Sequence, residues 1–377
     1  MEHTSFEDIR PYNSGEVPAA VERMISHKHF HAAVDYLFKP EEKSILFKDL
    51  KGVQSNFEFQ KVFMHKVINR ILEKSSDGLR VANSEIVKNN GPSVFISNHR
   101  DILLDSAILQ VVLVDLGLET SEITFGSNLM INDLIIDFGK TNRMFTVYRD
   151  GSPREMLENS KRLSAYIHHT ITQKEVSSWI AQRKGRTKDG HDLTDSTILK
   201  MLTTFNRKNP LGTLKEINIL PVIISYEWEP CDLLKIRELY LSENDIYKKE
   251  EGEDLRSVLN GITEYKGQIS MSFGRPVNEF LTEQSENLDK HNIHQNVAQF
   301  IDEQVYQNYR LYPNNYWAFD RLNKSARFAD KYDDSVKDKM MHRLEKLYQI
   351  MQSRDGKLEH MFLELYAHPV NNKLAYL

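Results

Sequence analysis

Apolar residues recur along this chain in two rhythms. Up to about residue 80 the spacing is three and four. Phe59, Val62, Phe63, Val67 and Ile71 set an apolar stripe along one side of a helix, and Ser75-Ser76 and Asp77-Gly78 then break it. From about 81 to 280 the apolar residues gather instead into short β-rich runs, at 94–97, 122–125, 144–148, 177–181, 217–225 and 268–273, with helical stretches between them. One of those stretches opens with Ser152-Pro153-Arg154-Glu155. Serine as N-cap, proline at the first helical position and glutamate at the third form a capping box. Met156, Ser160, Leu163, Ile167 and Ile171 continue one face behind it. From about 290 the helical rhythm returns. Val336, Met340, Leu344, Leu347 and Met351 mark an amphipathic helix expected to end at Gly356. Five aromatics between 309 and 319 surround Pro313 and read as a core corner.

Alternating β and α units predict an α/β fold with a mainly parallel central sheet covered by helices. Helical N- and C-terminal extensions flank it. The division expected is a helical region over 1–80, an α/β domain over 81–285 and a second helical region over 286–377. In such a sheet, ligands belong at the carboxyl ends of the strands.

Composition narrows the classes. The 377 residues are 40% hydrophobic and 27% charged with a net charge of −5, which argues against a general polyanion or nucleic-acid binder while leaving room for local basic patches. The single cysteine, Cys231, excludes an internal disulfide framework. The first ten residues lack the basic and apolar regions of a signal peptide. The longest apolar stretch, 102–118, is interrupted by Asp105 and Asp115, short of a spanning helix. The expectation is a soluble or peripheral protein.

Four places carry chemistry. The first is Val94-Phe95-Ile96-Ser97-Asn98-His99, a strand-length run delivering a histidine, with Asp101 and Asp105 two and six residues later. An imidazole titrates near neutrality, and a carboxylate on its far nitrogen fixes the tautomer and stabilises the charged form. The second is Phe145 through Arg149, a run ending in arginine, whose rigid fork of donors can hold a phosphate. The third is Trp179-Ile180-Ala181-Gln182-Arg183-Lys184-Gly185-Arg186-Thr187-Lys188. There a strand runs into four cations interleaved with a glycine, which suits close approach to an anion. The fourth is the apolar run around Ile219-Leu220-Pro221-Val222. Proline has no amide donor and is expected at an edge or a bend beside a site.

Taken in order, these blocks resemble the glycerolipid acyltransferase family, of the glycerol-3-phosphate and 1-acylglycerol-3-phosphate acyltransferase type. Phe125-Gly126-Ser127-Asn128-Leu129 and Gly267 through Pro276 are similar to further stretches of that family, and the likeness covers roughly 85–280. Five residues separate His99 from Asp105 where the family has four, so a one-residue bulge would restore the pairing, with Asp101 as the other candidate acid. Gln182 stands where the family has glutamate, and Gly185 and Arg186 are displaced from its spacing.

The resemblance implies acyl transfer from a thioester, either acyl-CoA or acyl-carrier protein, to a glycerolipid hydroxyl, without a cofactor or a metal. His99 is then the base and Asp105 its orienting acid. Arg149, Gln182, Arg183, Gly185, Arg186 and Pro221 line the acceptor site. It also implies an anionic membrane surface as partner, at the inner, cytoplasmic face. Lys184, Lys188, Lys200, Arg207 and Lys208 are the cations available to meet it. Two other readings share the fold: an O-acyltransferase making an amino-acid lipid, and a non-catalytic lipid-binding protein. His99-Arg100-Asp101 and Asp137-Phe138-Gly139 spell kinase motifs, but the glycine-rich loop and the catalytic asparagine are missing. A Gly-x-Ser-x-Gly elbow around Ser97 is missing too, which sets aside a serine hydrolase.

Overall fold

The computed structural model describes residues 5–148, 150–243, 247, 252–284 and 292–376. Seven strands form one sheet: β1 Leu79–Ala82, β2 Val94–Ser97, β3 Glu122–Gly126, β4 Met144–Val147, β5 Ser178–Ala181, β6 Leu220–Tyr226 and β7 Ile269–Phe273. Their order is β1-β7-β6-β2-β5-β3-β4, and every neighbouring pair is parallel except β6 with β7. This is the α/β architecture that the alternating pattern predicts. The carboxyl ends of β2 and β6 lie together near the middle of the sheet, so a group carried past β2 is flanked by β5 on one side and β6 on the other.

Alternation along the central strands sorts side chains to two faces. Phe95, Trp179, Leu220, Val222, Ile224 and Tyr226 join one core, shared with Val17, Met24, Phe59, Phe63, Ile68 and Ile71 of the N-terminal helices and with Ile108 and Val111 of the helix Leu104–Asp115. Val94, Ile96, Ile180 and Ile223 join the other, with Leu163 and Ile167 of the helix Pro153–Thr172 and Val297 and Ile301 of the helix Ile293–Asn308. A third core unites the helices Asp232–Ser242, Pro313–Leu322, Asp334–Met351 and Gly356–Ala375.

Several expectations need correction. β1 was not foreseen: Leu79-Arg80-Val81-Ala82 is only half-buried, so it lacks the apolar run that marks the other strands. Pro221 lies in an interior strand, not at an edge. Its partner Gly274 donates to the Pro221 carbonyl at 2.9 Å, and the reciprocal donor is the one proline lacks. That missing bond falls where β7 has already ended, so the proline costs the ladder nothing. The strand expected over 217–225 starts later, because Ile217 closes the helix Pro210–Glu216. Gly356 begins the terminal helix, capped by Asp355, while the preceding helix stops at Met351. The capping box at Ser152 forms as read, but Met156 behind it faces solvent. Tyr309, Tyr312, Trp317 and Phe319 are buried, with Pro313 opening a helix.

Candidate active site

β2 ends at Ser97, and Asn98 extends its ladder with a side chain. Asn98 Oδ1 accepts the Ile224 N–H at 2.8 Å, and Nδ2 donates to the Ile224 carbonyl at 2.9 Å. The backbone is thereby free to turn at His99. The turn closes on Asp105, in the first turn of the helix Leu104–Asp115. Asp105 Oδ2 accepts the amides of Arg100 at 2.6 Å and Asp101 at 2.9 Å, and His99 Nδ1 stands 2.9 Å from it. Oδ1 accepts the Tyr226 hydroxyl at 2.8 Å. Four donors saturate a carboxylate. The chain between His99 and Asp105 closes as a turn that aims the Arg100 and Asp101 amides at Asp105 Oδ2.

Asp101 does something else. Its Oδ1 accepts from Leu103 and Leu104 at 2.9 and 2.8 Å, satisfying amides at the start of the following helix. Its Oδ2 is buried without a donor among the described residues and lies against Gly261 of the helix Glu253–Thr263, where a Cβ would come within 2.2 Å of it. Burial, then the neighbouring Asp105, raises the Asp101 carboxyl above its ordinary value. In this arrangement Asp105 is the acid that faces His99.

The His99 side chain is 13% exposed. The Trp179 ring meets it edge-on at 5.8 Å, and Trp179 Nε1 donates to Ser97 Oγ at 2.9 Å. A carboxylate at Nδ1 places the hydrogen there and leaves Nε2 as the basic nitrogen. The Cys231 thiol contacts the Ser257 carbonyl at 3.2 Å, and burial pushes it up to about 12.

The third block curls beside this turn. The Thr187 amide donates to the His99 carbonyl at 2.9 Å. Arg186 Nη1 is buried with no hydrogen-bond partner among the described residues, and its charge acts on Asp101 and Cys231. Gly185 has φ +76°, a conformation glycine adopts freely. Arg183 Nη1 reaches the His191 carbonyl at 3.4 Å. Gln182 continues the ladder to Ser97, and alternation puts its buried side chain on the face opposite Trp179, with both amide atoms unpartnered. Arg149 lies outside the described residues. Of the five basic-region cations, Lys188 pairs with Glu238, while Lys184, Lys200, Arg207 and Lys208 are exposed.

Motif spacing does not reveal the rest. Arg100 is fully buried between Asp192 and Glu229 Oε2, the latter at 3.0 Å, over the Tyr309 ring at 5.1 Å. Lys235 pairs with Glu229 and donates to the Arg100 carbonyl at 2.7 Å. Burial opposes the Arg100 charge, but Asp192 and Glu229 outweigh it and hold the guanidinium ionised. Tyr226 had a readable signal in hindsight: it follows Leu220, Val222 and Ile224 at the period of two that shares a face with His99.

No family profile matches the chain, and no curated protein matches it. Among solved structures it is similar to the 1-acyl-sn-glycerophosphate (LPA) acyltransferase PlsC from Thermotoga maritima, at 12% identity and a TM-score of 0.36, over 76% of this chain and 91% of that one. So distant a likeness does not bear on the chemistry of the site. Among the described residues no helix is long and apolar enough to cross a membrane.

Proposed function

We propose that this chain is an acyltransferase. It moves a fatty acyl chain from a thioester, acyl-CoA or acyl-carrier protein, to a hydroxyl of glycerol 3-phosphate or lysophosphatidate. The observation that carries the reading is the His99–Asp105 pair at the carboxyl end of β2, with Nδ1 engaged at 2.9 Å and Nε2 left as a base. In the proposed reaction His99 Nε2 takes the proton from the glycerol hydroxyl as that oxygen attacks the thioester carbonyl. The C–S bond then breaks, and the leaving thiolate takes the proton back from the imidazolium. Nearby nucleophiles are already committed, Ser97 Oγ to Trp179 and Cys231 to a buried contact, which favours direct transfer over an acyl-enzyme. Arg186, with its unpartnered nitrogen, and Arg183 are assigned to the acceptor's phosphate, with Arg149 retained on its motif alone.

The reading keeps the chemistry within 81–285 and assigns the protein to the cytoplasmic membrane surface, met by Lys184, Lys200, Arg207 and Lys208. The test is acylation by purified protein of an acceptor panel with both donors. His99→Ala is expected to lose at least about a hundredfold in turnover with its thermal midpoint retained, and Asp105→Asn more than Asp101→Asn. Turnover near wild type in folded His99→Ala overturns His99 as the base, and no acylation of any acceptor by the wild type overturns the acyltransferase reading.

A further inference from the structure

The geometry points to Tyr226 as a positioning residue: its hydroxyl holds Asp105 so that one carboxylate oxygen remains to orient His99. The inference rests on the acyltransferase reading above for its consequence, though not for its test. The other donors to Asp105 (His99, Arg100 and Asp101) come from its own turn and move with it. Tyr226 comes from β6, 121 residues along the chain, and is fully buried. Among the described residues it is the one side-chain hydrogen bond that ties the acid to a strand of the sheet.

The contact also sets how strongly Asp105 pulls on the imidazole. A hydrogen bond to Oδ1 stabilises the charged carboxylate and draws negative charge away from Oδ2. The imidazolium is then held less tightly, and His99 stays available as a base. Removing the hydroxyl leaves Oδ1 buried without a donor. The carboxylate becomes more basic, and the protonated ring becomes more favourable.

Asp101 on the turn and Glu229 after β6 act on Tyr226 beside Asp105. Asp101 in turn feels Arg186 from the loop after β5, Cys231 after β6 and Lys266 before β7, while Arg100 on the turn is taken up by Asp192 and Glu229. Burial pushes Lys266 down to about 8 and Cys231 up to about 12, so both keep their protonation between about pH 5 and 7. The remainder are common to wild type and variant, so a difference between the two isolates the hydroxyl.

The experiment is a nitrogen-15 titration of the His99 ring in the full chain, assigned by its disappearance in His99→Ala. In Tyr226→Phe the midpoint is expected to rise by about 0.5–1 pH unit, and the acid limb of kcat/KM to move the same way. 3-Fluorotyrosine placed at 226 alone, a stronger donor, is expected to lower the midpoint, and it decides the matter if the Phe variant does not fold. An unchanged midpoint in a folded variant overturns the proposal, whatever the activity. If the midpoint moves while the wild type transfers no acyl group from either donor, the positioning stands and the acyltransferase reading falls.

Discussion

The N-terminal and C-terminal helical regions attach to the sheet by different physics. The N-terminal helices bring Val17, Met24, Phe59, Phe63 and Ile68 onto the apolar face of the central strands. This attachment is mainly apolar, with Asn56 and Gln60 donating to backbone carbonyls at 140–142 and no buried ion cluster among the contacts of the described residues. Beyond the helix Ile293–Asn308, which packs on the sheet, the C-terminal helices keep a core of their own and meet the catalytic end of the sheet through polar groups. Arg100, Asp192, Glu229 and Lys235 are buried together. Beside them Asp232 accepts the Tyr366 hydroxyl at 2.7 Å and Arg343 Nε at 2.9 Å, and His191 Nδ1 lies 2.7 Å from Asn372 Oδ1. Apolar contacts tolerate small shifts, whereas buried ions require a fixed geometry. The rigid, costly attachment sits where His99 must be held.

The sharpest way to break this contrast is Arg100→Ala, which takes the guanidinium from buried Asp192 and leaves Glu229 with Lys235 alone. Removing one partner of a buried network costs about 3–5 kcal/mol, to be read from denaturant midpoints. The loss should shrink at low pH, as the stranded Asp192 protonates. Phe59→Ala on the opposite side should cost a similar ~3–5 kcal/mol with no dependence on pH. A loss at Arg100 that is equally indifferent to pH would abolish the distinction.

A smaller effect comes from Asp302, which accepts the Thr194 amide at 2.7 Å. Burial pushes its carboxyl up to about 6, from an ordinary 3.8. The folded protein therefore binds a proton that the unfolded chain releases. Stability from this group is present at low pH and declines as pH rises toward about 6, by about 1–3 kcal/mol. Asp302→Asn should flatten that slope in denaturation series between about pH 4 and 7. An unaltered slope would place the pH dependence elsewhere.

The smallest effect expected is on the N-terminal side, where Arg23 reaches Asp137 at 2.7 Å with its side chain 57% exposed. Arg23→Ala should cost no more than about 1 kcal/mol, because Asp137 keeps the Tyr12 hydroxyl at 2.8 Å. Salt should erode the wild-type advantage to the same end point.

What could be read from the sequence follows the range of each interaction. Six strands announce themselves as apolar runs because their burial is continuous along the chain. β1, half-exposed and carrying Arg80, gives no such signal. The His99–Asp105 pairing is local, and spacing proposes it. Tyr226 and the ions around Arg100 meet this turn across 92 to 135 residues; the period of two gives Tyr226 its face, but no spacing gives the partner of any of them. Of the two places expected for Pro221, the edge is excluded: it sits in an interior strand with its missing donor facing a position just past the end of β7.

The approach of the terminal helix at Gly190 has a consequence for the order of assembly. Gly190, at φ +78°, lies so close to the Leu365 carbonyl that a Cβ would come within 2.1 Å of it, and His368 contacts the Asp189 carbonyl at 2.5 Å. The loop that carries Asp192 to Arg100 is thus braced by a residue 179 positions further along the chain. During synthesis the N-terminal helices and β2 emerge before the helix Gly356–Ala375, and the closure of so long a loop is deferred until that helix arrives. The scaffold is therefore largely formed before the chemistry it carries can set.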